Sequence, residues 1–355
     1  MIIQINKNVL ENILINTQNF LEKKDPSQIT SHILFEASNQ RLDIKATDYE
    51  IGIAMYSQNV TIEQPGNATA NGKKLLDIIK ILKDSEITLK TQENYLHIEQ
   101  EKSKFKLPMY NAQEYPSFPS FEEKSKFNIQ PLHFLHAIKK ISPAIDTNNP
   151  KYELNGALID LVDNNIHFVA TDTRRLAIVT QTKEFETEIS LIIPKKAISE
   201  IQKLFFDDMV IFYDENTLLI QSENFTFFTK LINGKYPDYK RIIPKEYKYE
   251  LVLNREKMID HLKQISTISV ELKMTFLQDA ILFESLNEDN VEAKTELSFT
   301  SNLPEEIAIA VNSRYILDFL AHIEQNEFKL SYNDSTLPFT LTSEDFITVV
   351  MPIML

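Results

Sequence analysis

Cysteine and tryptophan are absent from the 355 residues, and glycine occurs only five times. Without cysteine the chain forms no disulfide and no thiolate metal site, and it has no cysteine nucleophile. The nearest two glycines, Gly66 and Gly72, are six residues apart, so neither a G-x-G-x-x-G loop nor a G-x-x-x-x-G-K-S/T loop can be written. Nucleotide sites of those kinds are therefore excluded.

Long apolar runs are also missing, and none approaches the roughly 18 residues that a membrane span needs. The first residues, MIIQINKNVLENILI, lack the basic start and the small-residue cleavage site of a signal peptide. The absence of cysteine suits a reducing compartment. We therefore expect a cytoplasmic protein.

Helical and strand patterns recur with a period of about 120 residues. One amphipathic helix follows a short alternating strand three times, at 8–21, 131–141 and 255–265. A second helical pattern starts at 73, 195 and 313, and each copy leads into alternating strands. Proline-rich polar stretches at 114–120 and 235–244 mark boundaries. We predict an α+β fold of three tandem domains, 1–122, 123–246 and 247–355, each with two helices packed on antiparallel sheets. A plain duplication without geometric meaning remains the alternative.

Positive charge is concentrated in the predicted helices, although the whole chain carries a net charge of −14. That total alone argues against a nucleic-acid binder. Six helical windows (7–24, 73–83, 131–142, 195–205, 255–265 and 312–322) together carry +9, which leaves −23 on the rest of the chain. One basic helix face is ordinary solvated surface, but five basic windows out of six indicate a shared task.

A ring with helices inside and sheets outside would place these basic helices around a central hole. Helices pack about 8–10 Å apart and are about 10 Å thick, so six in a circle leave a hole of roughly 9 Å and twelve leave roughly 28 Å. Duplex DNA is at least ~16 Å across. Two chains, but not one, could therefore encircle it, with loose electrostatic contact that is blind to sequence and permits sliding.

Three motifs resemble those of bacterial β sliding clamps, the processivity subunit of the DNA polymerase III holoenzyme. They are ATDTRRLA at 170–177, LINGKYPDY at 231–239 and VVMPIML at 349–355. The similarity extends over the whole chain, including its length and period. It implies three DNA-clamp domains in a head-to-tail homodimeric ring around double-stranded DNA. It also implies a cleft between the second and third domains that binds short peptides of the replicative polymerase, the clamp loader and repair polymerases. No cofactor and no enzymatic activity is implied.

Carried over by position, the resemblance assigns the peptide cleft to Leu154, Thr171, Thr173, Arg174, Arg175, Leu176, Pro244, Asn312, Tyr315, Val349, Val350, Met351, Pro352, Ile353, Met354 and Leu355. An apolar pocket for a leucine or aromatic side chain of the peptide would consist of Leu154, Leu176, Pro244, Val350 and Met351. Backbone groups near Pro352 and Met354 would pair with the peptide. A terminal strand packed into a core is the commoner fate of such a tail, and both interpretations can hold together.

The chain departs from the family pattern at three places. Thr173-Arg174 stands where the family often has Gly-His, and Met354 stands where it often has a basic residue. We therefore expect a different pocket shape and peptide preference. Residues 273–277 lack the family's basic-Gly-Val pattern, so the third-domain side of the dimer seam stays unassigned. Phe105 and Leu107 are candidates for its other side, with ordinary sheet core as the alternative.

The candidate DNA-facing residues are mostly helix lysines, supplemented by two loops between the first helix of a domain and its next strand. They are Lys23, Lys24, Lys73, Lys74, Lys80, Lys139, Lys140, Asn148, Lys151, Lys195, Lys196, Lys203, Arg255 and Lys263.

Two rival functions stay open. A metal-dependent or phosphate-directed enzyme would use His133 and His136 or the Asp172-Arg174-Arg175 cluster, but no ligand or nucleophile–base spacing accompanies them. A peptide-binding scaffold that does not encircle DNA would share the cleft and lack the ring.

Overall fold

The computed structural model describes residues 1–38, 40–185, 187–204, 208–286, 292–301 and 303–354. Among these residues, no helix combines the length and the apolar character that crossing a membrane requires. The described chain forms two compact units. Unit 1 consists of Met1–Pro131 and Lys203–Leu231, and unit 2 consists of Leu132–Gln202 and Ile232–Leu355.

Each helix is followed by several strands, as the sequence predicts. The helices are α1 (Lys7–Thr17), α2 (Gly72–Ile81), α3 (Pro131–Ile141), α4 (Lys195–Ile201), α5 (Arg255–Ser266) and α6 (Ser313–Ala321). The strands are β1 (Ile2–Asn6), β2 (His32–Ser38), β3 (Arg41–Thr47), β4 (Ile51–Ser57), β5 (Val60–Gln64), β6 (Gly66–Asn71), β7 (Glu86–Gln92), β8 (Tyr95–Gln100), β9 (Ser103–Pro108), β10 (Ser125–Asn128), β11 (Gly156–Val162), β12 (Asn165–Thr171), β13 (Arg175–Thr182), β14 (Ile189–Pro194), β15 (Val210–Tyr213), β16 (Thr217–Gln221), β17 (Phe225–Lys230), β18 (Tyr249–Asn254), β19 (Glu271–Phe276), β20 (Ala280–Ser285), β21 (Lys294–Ser298), β22 (Ile307–Asn312), β23 (Glu327–Tyr332), β24 (Phe339–Ser343) and β25 (Phe346–Val350).

Asparagine caps the start of four of the six helices in the part of the chain that the structure describes. Its side-chain oxygen accepts a backbone N–H of the first turn, which satisfies a donor that the helix itself cannot pair. These caps are Asn6, Asn71, Asn254 and Asn312. The same strand–Asn–helix junction therefore recurs in the first and third repeats.

Within the described residues one supersecondary unit occurs six times, as two helical patterns in each of three repeats predict. A leading strand enters a helix, and a three-stranded antiparallel meander follows. The leading strand pairs with the meander of the other half of its repeat: β1 joins β7, and β6 joins β2. The second and third repeats follow the same exchange.

Unit 1 contains a five-stranded sheet, β5-β1-β7-β8-β9, and an eight-stranded sheet, β10-β15-β16-β17-β4-β3-β2-β6. The eight strands are two meanders, each with its leading strand, joined where β17 pairs with β4. At that junction Phe228 lies opposite Gly52, and a Cβ on Gly52 would come within 2.3 Å of the Phe228 ring. Glycine is therefore required there by the close approach of an aromatic ring.

Unit 2 contains the second eight-stranded sheet, β14-β11-β12-β13-β25-β24-β23-β18, and a four-stranded sheet, β21-β20-β19-β22. The eight strands again join two meanders, here through β13 and β25. The structure differs from the sequence-based prediction in helix ends and in several strands. α1 ends at Thr17 because a 3-10 turn, Gln18–Phe20, replaces its last turn. Several strands, β19 and β21 among them, were not predicted.

Candidate functional site

The C-terminal strand β25 lies inside the eight-stranded sheet of unit 2, between β13 and β24. Val349 pairs with Leu176, and Val350 pairs with Arg175. Successive side chains of a strand point to opposite faces of its sheet. Val349 accordingly packs in an apolar cluster with Leu154 and Leu176, whereas Val350 is fully buried outside that cluster. Val349 therefore belongs to the apolar cluster, and a peptide pocket lined by Val350 stays a prediction.

The apolar cluster draws on both repeats that meet at β13 and β25. Its buried members are Leu154, Leu158, Val169, Leu176, Ile178, Ile192, Tyr236, Tyr239 and Val349, and Ile232, Ile243 and Ile347 pack against it. The expected Pro244 directly follows Ile243 and is half-buried. The arrangement provides a buried apolar floor beneath the predicted cleft.

The turn between β12 and β13, residues 171–175, is held by its own side chains. The Asp172 carboxylate accepts the N–H groups of Arg174 (3.1 Å) and Arg175 (3.0 Å). The Thr171 hydroxyl donates to the Arg175 carbonyl (2.6 Å) and accepts the N–H of Thr173 (3.1 Å). Thr173 has a φ of +73°, a conformation that is rare for a β-branched residue. The hydrogen bonds thus fix a strained backbone at the cleft.

Arg175 is the buried anchor of the site, with 7% of its surface exposed. Its guanidinium donates to Asp172 (3.1 Å), to Asp318 on α6 (2.6 Å) and to the Pro143 carbonyl. It also lies 4.6 Å from the centre of the Tyr315 ring, a cation–π distance. Arg175 therefore ties α6 of the third repeat to the turn of the second.

Two further predicted residues lie at the start of α6. Asn312 uses its carboxamide to cap the helix, accepting the Arg314 N–H at 3.0 Å. Tyr315 is half-buried, and burial, followed by the charge of Asp172, raises the pKa of its hydroxyl. The Tyr315 hydroxyl consequently stays protonated and can donate a hydrogen bond at neutral pH.

The tail beyond β25 is pinned to both repeats. The Met351 N–H donates to the Arg174 carbonyl (2.9 Å), and the Ile353 N–H donates to the Ala310 carbonyl (2.8 Å). Met351 and Met354 expose 38% and 68% of their surfaces. Pro352 has no N–H, so the Met354 N–H is the donor that the described tail leaves for a peptide. Leu355, also predicted for the cleft, lies outside the described residues.

The predicted DNA-facing lysines of the first repeat converge. Lys23, Lys73, Lys74 and Lys80 line one cavity of about 550 Å³ in unit 1. Its other lining residues are Gln18, Leu21, Glu22, Pro26, Ser31, Asn71, Leu76 and Asp77. Lys24 is exposed nearby in sequence but does not line the cavity. Four ammonium groups against two carboxylates make this surface attractive to phosphate.

Some of the predicted DNA-facing side chains also bind groups of the fold. Lys140 pairs with Asp345 (2.6 Å). Lys195 donates to the Ile145 carbonyl and the Thr147 hydroxyl, both at 2.7 Å, and Arg255 donates to the Leu320 carbonyl at 2.8 Å. Their contact with DNA stays a prediction. The remaining candidates are exposed: Lys139, Asn148, Lys151, Lys196, Lys203 and Lys263.

The two seam candidates lie on β9, an outer strand of the unit 1 sheet. Leu107 is buried at 7% exposure, and Phe105 is half-buried. Both side chains belong to the same face of the strand, since they are two residues apart. Because β9 is the outer strand, its backbone N–H and C=O groups are available for pairing in addition to these side chains.

Among the described residues, no three His, Asp or Glu side chains are placed to hold a metal ion. His133 and His136 line a polar cavity of about 190 Å³ together with Lys140, Glu324 and Asp345.

Sequence reasoning missed two parts of this region. Asp318 completes the Arg175 anchor from 143 positions away, a distance no local motif encodes. Tyr236 and Tyr239 belong to the apolar cluster, although the sequence placed them only in a motif. The Tyr239 hydroxyl donates to Asp160 at 2.9 Å, which fixes the ring below the cleft.

Comparisons with known proteins agree over the whole chain. Models of the DNA polymerase III beta subunit match its N-terminal domain at residues 1–119, its central domain at 128–238 and its C-terminal domain at 240–354. The beta sliding clamp of Helicobacter pylori J99 is 39% identical over 349 residues, covering 96% of this chain and 93% of the relative. The Pseudomonas putida beta sliding clamp is 26% identical, covering 94% and 95%.

A crystal structure of the Helicobacter pylori beta clamp bound to a DNA ligase peptide superposes with a TM-score of 0.94 at 38% identity, covering 100% of both chains. The DNA polymerase III beta subunit of Pseudomonas aeruginosa has the same fold, with a TM-score of 0.94. Three tandem clamp domains of helices and antiparallel sheets are therefore confirmed. The chain belongs to the DNA polymerase III beta subunit family, the bacterial sliding clamps that serve as processivity factors of DNA replication.

Proposed function

We propose that two copies of this chain close head to tail into a ring around duplex DNA and tether polymerase, clamp loader and repair proteins through the cleft at β13 and β25. The chain itself catalyses no reaction. A replication factor acts on the chromosome, so we place it in the cytoplasm. The domain limits 1–122, 123–246 and 247–355 stay part of this proposal.

The dimer is inferred from the way in which the meanders pair with one another inside the chain. The last strand of a meander pairs with the last strand of another meander at both internal junctions, β4 with β17 and β13 with β25. Two meanders have last strands, β9 and β21, whose outer sides have no strand partner in the described chain. Applied once more, the rule pairs β9 of one chain with β21 of the next, a head-to-tail contact.

The same rule fixes a register. At the internal junctions Phe225 faces Met55 and Phe346 faces Val179. Phe225, Phe346 and Ser103 each begin the last strand of their meander.

In three meanders, the fourth residue of the middle strand pairs with one residue of the last strand. The pairs are Ile44 with Met55, Phe168 with Val179, and Phe283 with Thr295. Ser103 should therefore face Thr295 across the seam.

Cysteine pairs test this register, because the chain has no cysteine of its own. Directly opposed residues of antiparallel strands are about 4.5–5.5 Å apart at Cα, within disulfide range. The double variant Ser103→Cys/Thr295→Cys should give a covalent dimer on a non-reducing gel under mild oxidation. Each single variant, and the pair Phe105→Cys/Thr295→Cys, should not. A monomer at every concentration would refute the dimer.

The same cross-linked protein separates a ring from a scaffold. The reduced double variant should be loaded on closed circular DNA by its clamp loader and only then oxidised. It should then stay bound at high salt and run off once the circle is cut. Equal retention on circular and linear DNA would favour the peptide-binding scaffold that does not encircle DNA. Salt resistance matters because electrostatic contact alone is lost as salt rises.

A further inference from the structure

The turn at 171–175 presents two adjacent arginines in opposite environments. Arg175 is buried, and Asp172 and Asp318 balance its charge. Arg174 is exposed, and its guanidinium has no ion-pair partner among the described residues. The charge of Arg174 also reaches the Tyr315 hydroxyl, where it acts to lower the pKa against the stronger effect of burial.

The backbone of Arg174 is fixed, although its side chain is in solvent. Its N–H donates to Asp172 (3.1 Å), and its carbonyl accepts the Met351 N–H (2.9 Å). The same hydrogen bond attaches the tail to the turn. The backbone of Arg174 is therefore held by hydrogen bonds beside Met351 and Tyr315, and its side chain can still adopt different rotamers.

We propose that Arg174 determines partner specificity by selecting peptides that carry a carboxylate, from Asp, Glu or a chain terminus, next to their apolar anchor. This inference rests on the proposed peptide cleft. A guanidinium binds a carboxylate with two parallel N–H donors, whereas an ammonium offers a single point charge. A charge at the rim of an interface acts mainly on partner choice and association rate, and the apolar floor supplies the anchor.

Fluorescence polarisation with paired peptides tests the proposal. The probes are two labelled heptapeptides with the same Gln, Leu and Phe anchors, one with Glu and the other with Gln beside the leucine. The unchanged chain should bind the Glu peptide roughly two- to fivefold more tightly at low salt, the range of an exposed ion pair. The preference should shrink as salt screens the pair.

Arg174→Gln should equalise the two affinities by weakening only the Glu peptide, and Arg174→Lys should keep part of the preference. Arg41→Gln, the same charge change in unit 1, should leave the ratio unchanged. The selection by Arg174 is refuted if Arg174→Gln keeps the full ratio of affinities for the Glu and Gln peptides. It is also refuted if the unchanged chain shows no preference between the two peptides. Failure of both peptides to bind the unchanged chain would instead refute the cleft.

Discussion

Arg175→Ala should be among the most destabilising single changes in unit 2. The substitution removes a guanidinium that is 7% exposed and leaves Asp172 and Asp318 facing each other's charge without their shared cation. Breaking a buried ion pair from one side costs about 3–5 kcal/mol. The two carboxylates keep 19% and 31% of their side-chain surface in solvent, so we expect the lower end, about 3 kcal/mol.

The free energy of unfolding should be measured by urea titration followed by circular dichroism, since the chain has no tryptophan. The neighbouring Arg174→Ala is the matched control, and an exposed substitution of that kind should stay within about 0.5 kcal/mol. Adding Asp172→Asn and Asp318→Asn to Arg175→Ala should recover part of the loss, because the uncompensated charges are then gone. Equal effects of the two arginine variants, or no recovery, would refute the anchor.

Two further predictions concern pH and DNA. Burial, together with the charge of Lys74, lowers the pKa of His32 to about 4, so His32 is neutral in the folded chain. Since an unfolded histidine titrates near 6.5, the unfolded state gains the proton first and stability should fall by up to about 3 kcal/mol between pH 6.5 and 4. His32→Phe should flatten that slope in urea titrations across the range, and an unchanged slope would contradict this origin. Lys73→Glu/Lys74→Glu should reduce DNA affinity and its salt dependence, whereas Lys90→Glu, on an exposed strand position, should change neither; equal losses would remove the special role of the helix lysines.

The periodic spacing of apolar residues predicted the repeating helices and strands, because the pattern that favours each element lies within its own short segment. Helix starts coincide with asparagine caps, and the three-repeat order follows from patterns with periods of 2 and 3.6. β21 was missed because its sequence, KTELS, has one leucine as its sole large apolar residue, and its neighbours supply the packing. Short edge strands of this kind carry little intrinsic signal.

The sequence predicted which residues belong to the candidate site, but it did not predict which way their side chains point. Sequence similarity placed Val349 and Val350 together in the cleft, yet strand parity sends one side chain to the apolar cluster and the other to the opposite face. Likewise, nothing in the sequence Arg174-Arg175 distinguishes the buried arginine from the exposed one. The distinction comes from Asp318 and the Pro143 carbonyl, which tertiary folding brings to the turn.

The charges on the two open strands explain why the proposed contact would be head to tail. An exposed strand edge can pair with any copy of itself unless its side chains prevent this. β9 carries Lys104 and Lys106 and no acid, so two β9 edges would set like charges against each other. β21 carries Glu296 and Lys294, and Glu284 already pairs with that lysine at 2.9 Å. In the proposed register, Lys102 at the turn before β9 would face Glu296, whereas Lys104 would face Lys294, whose charge Glu284 already balances. Pairing β9 with β21 thus brings carboxylates to a strand that carries only lysines, and each chain then offers one edge of each kind.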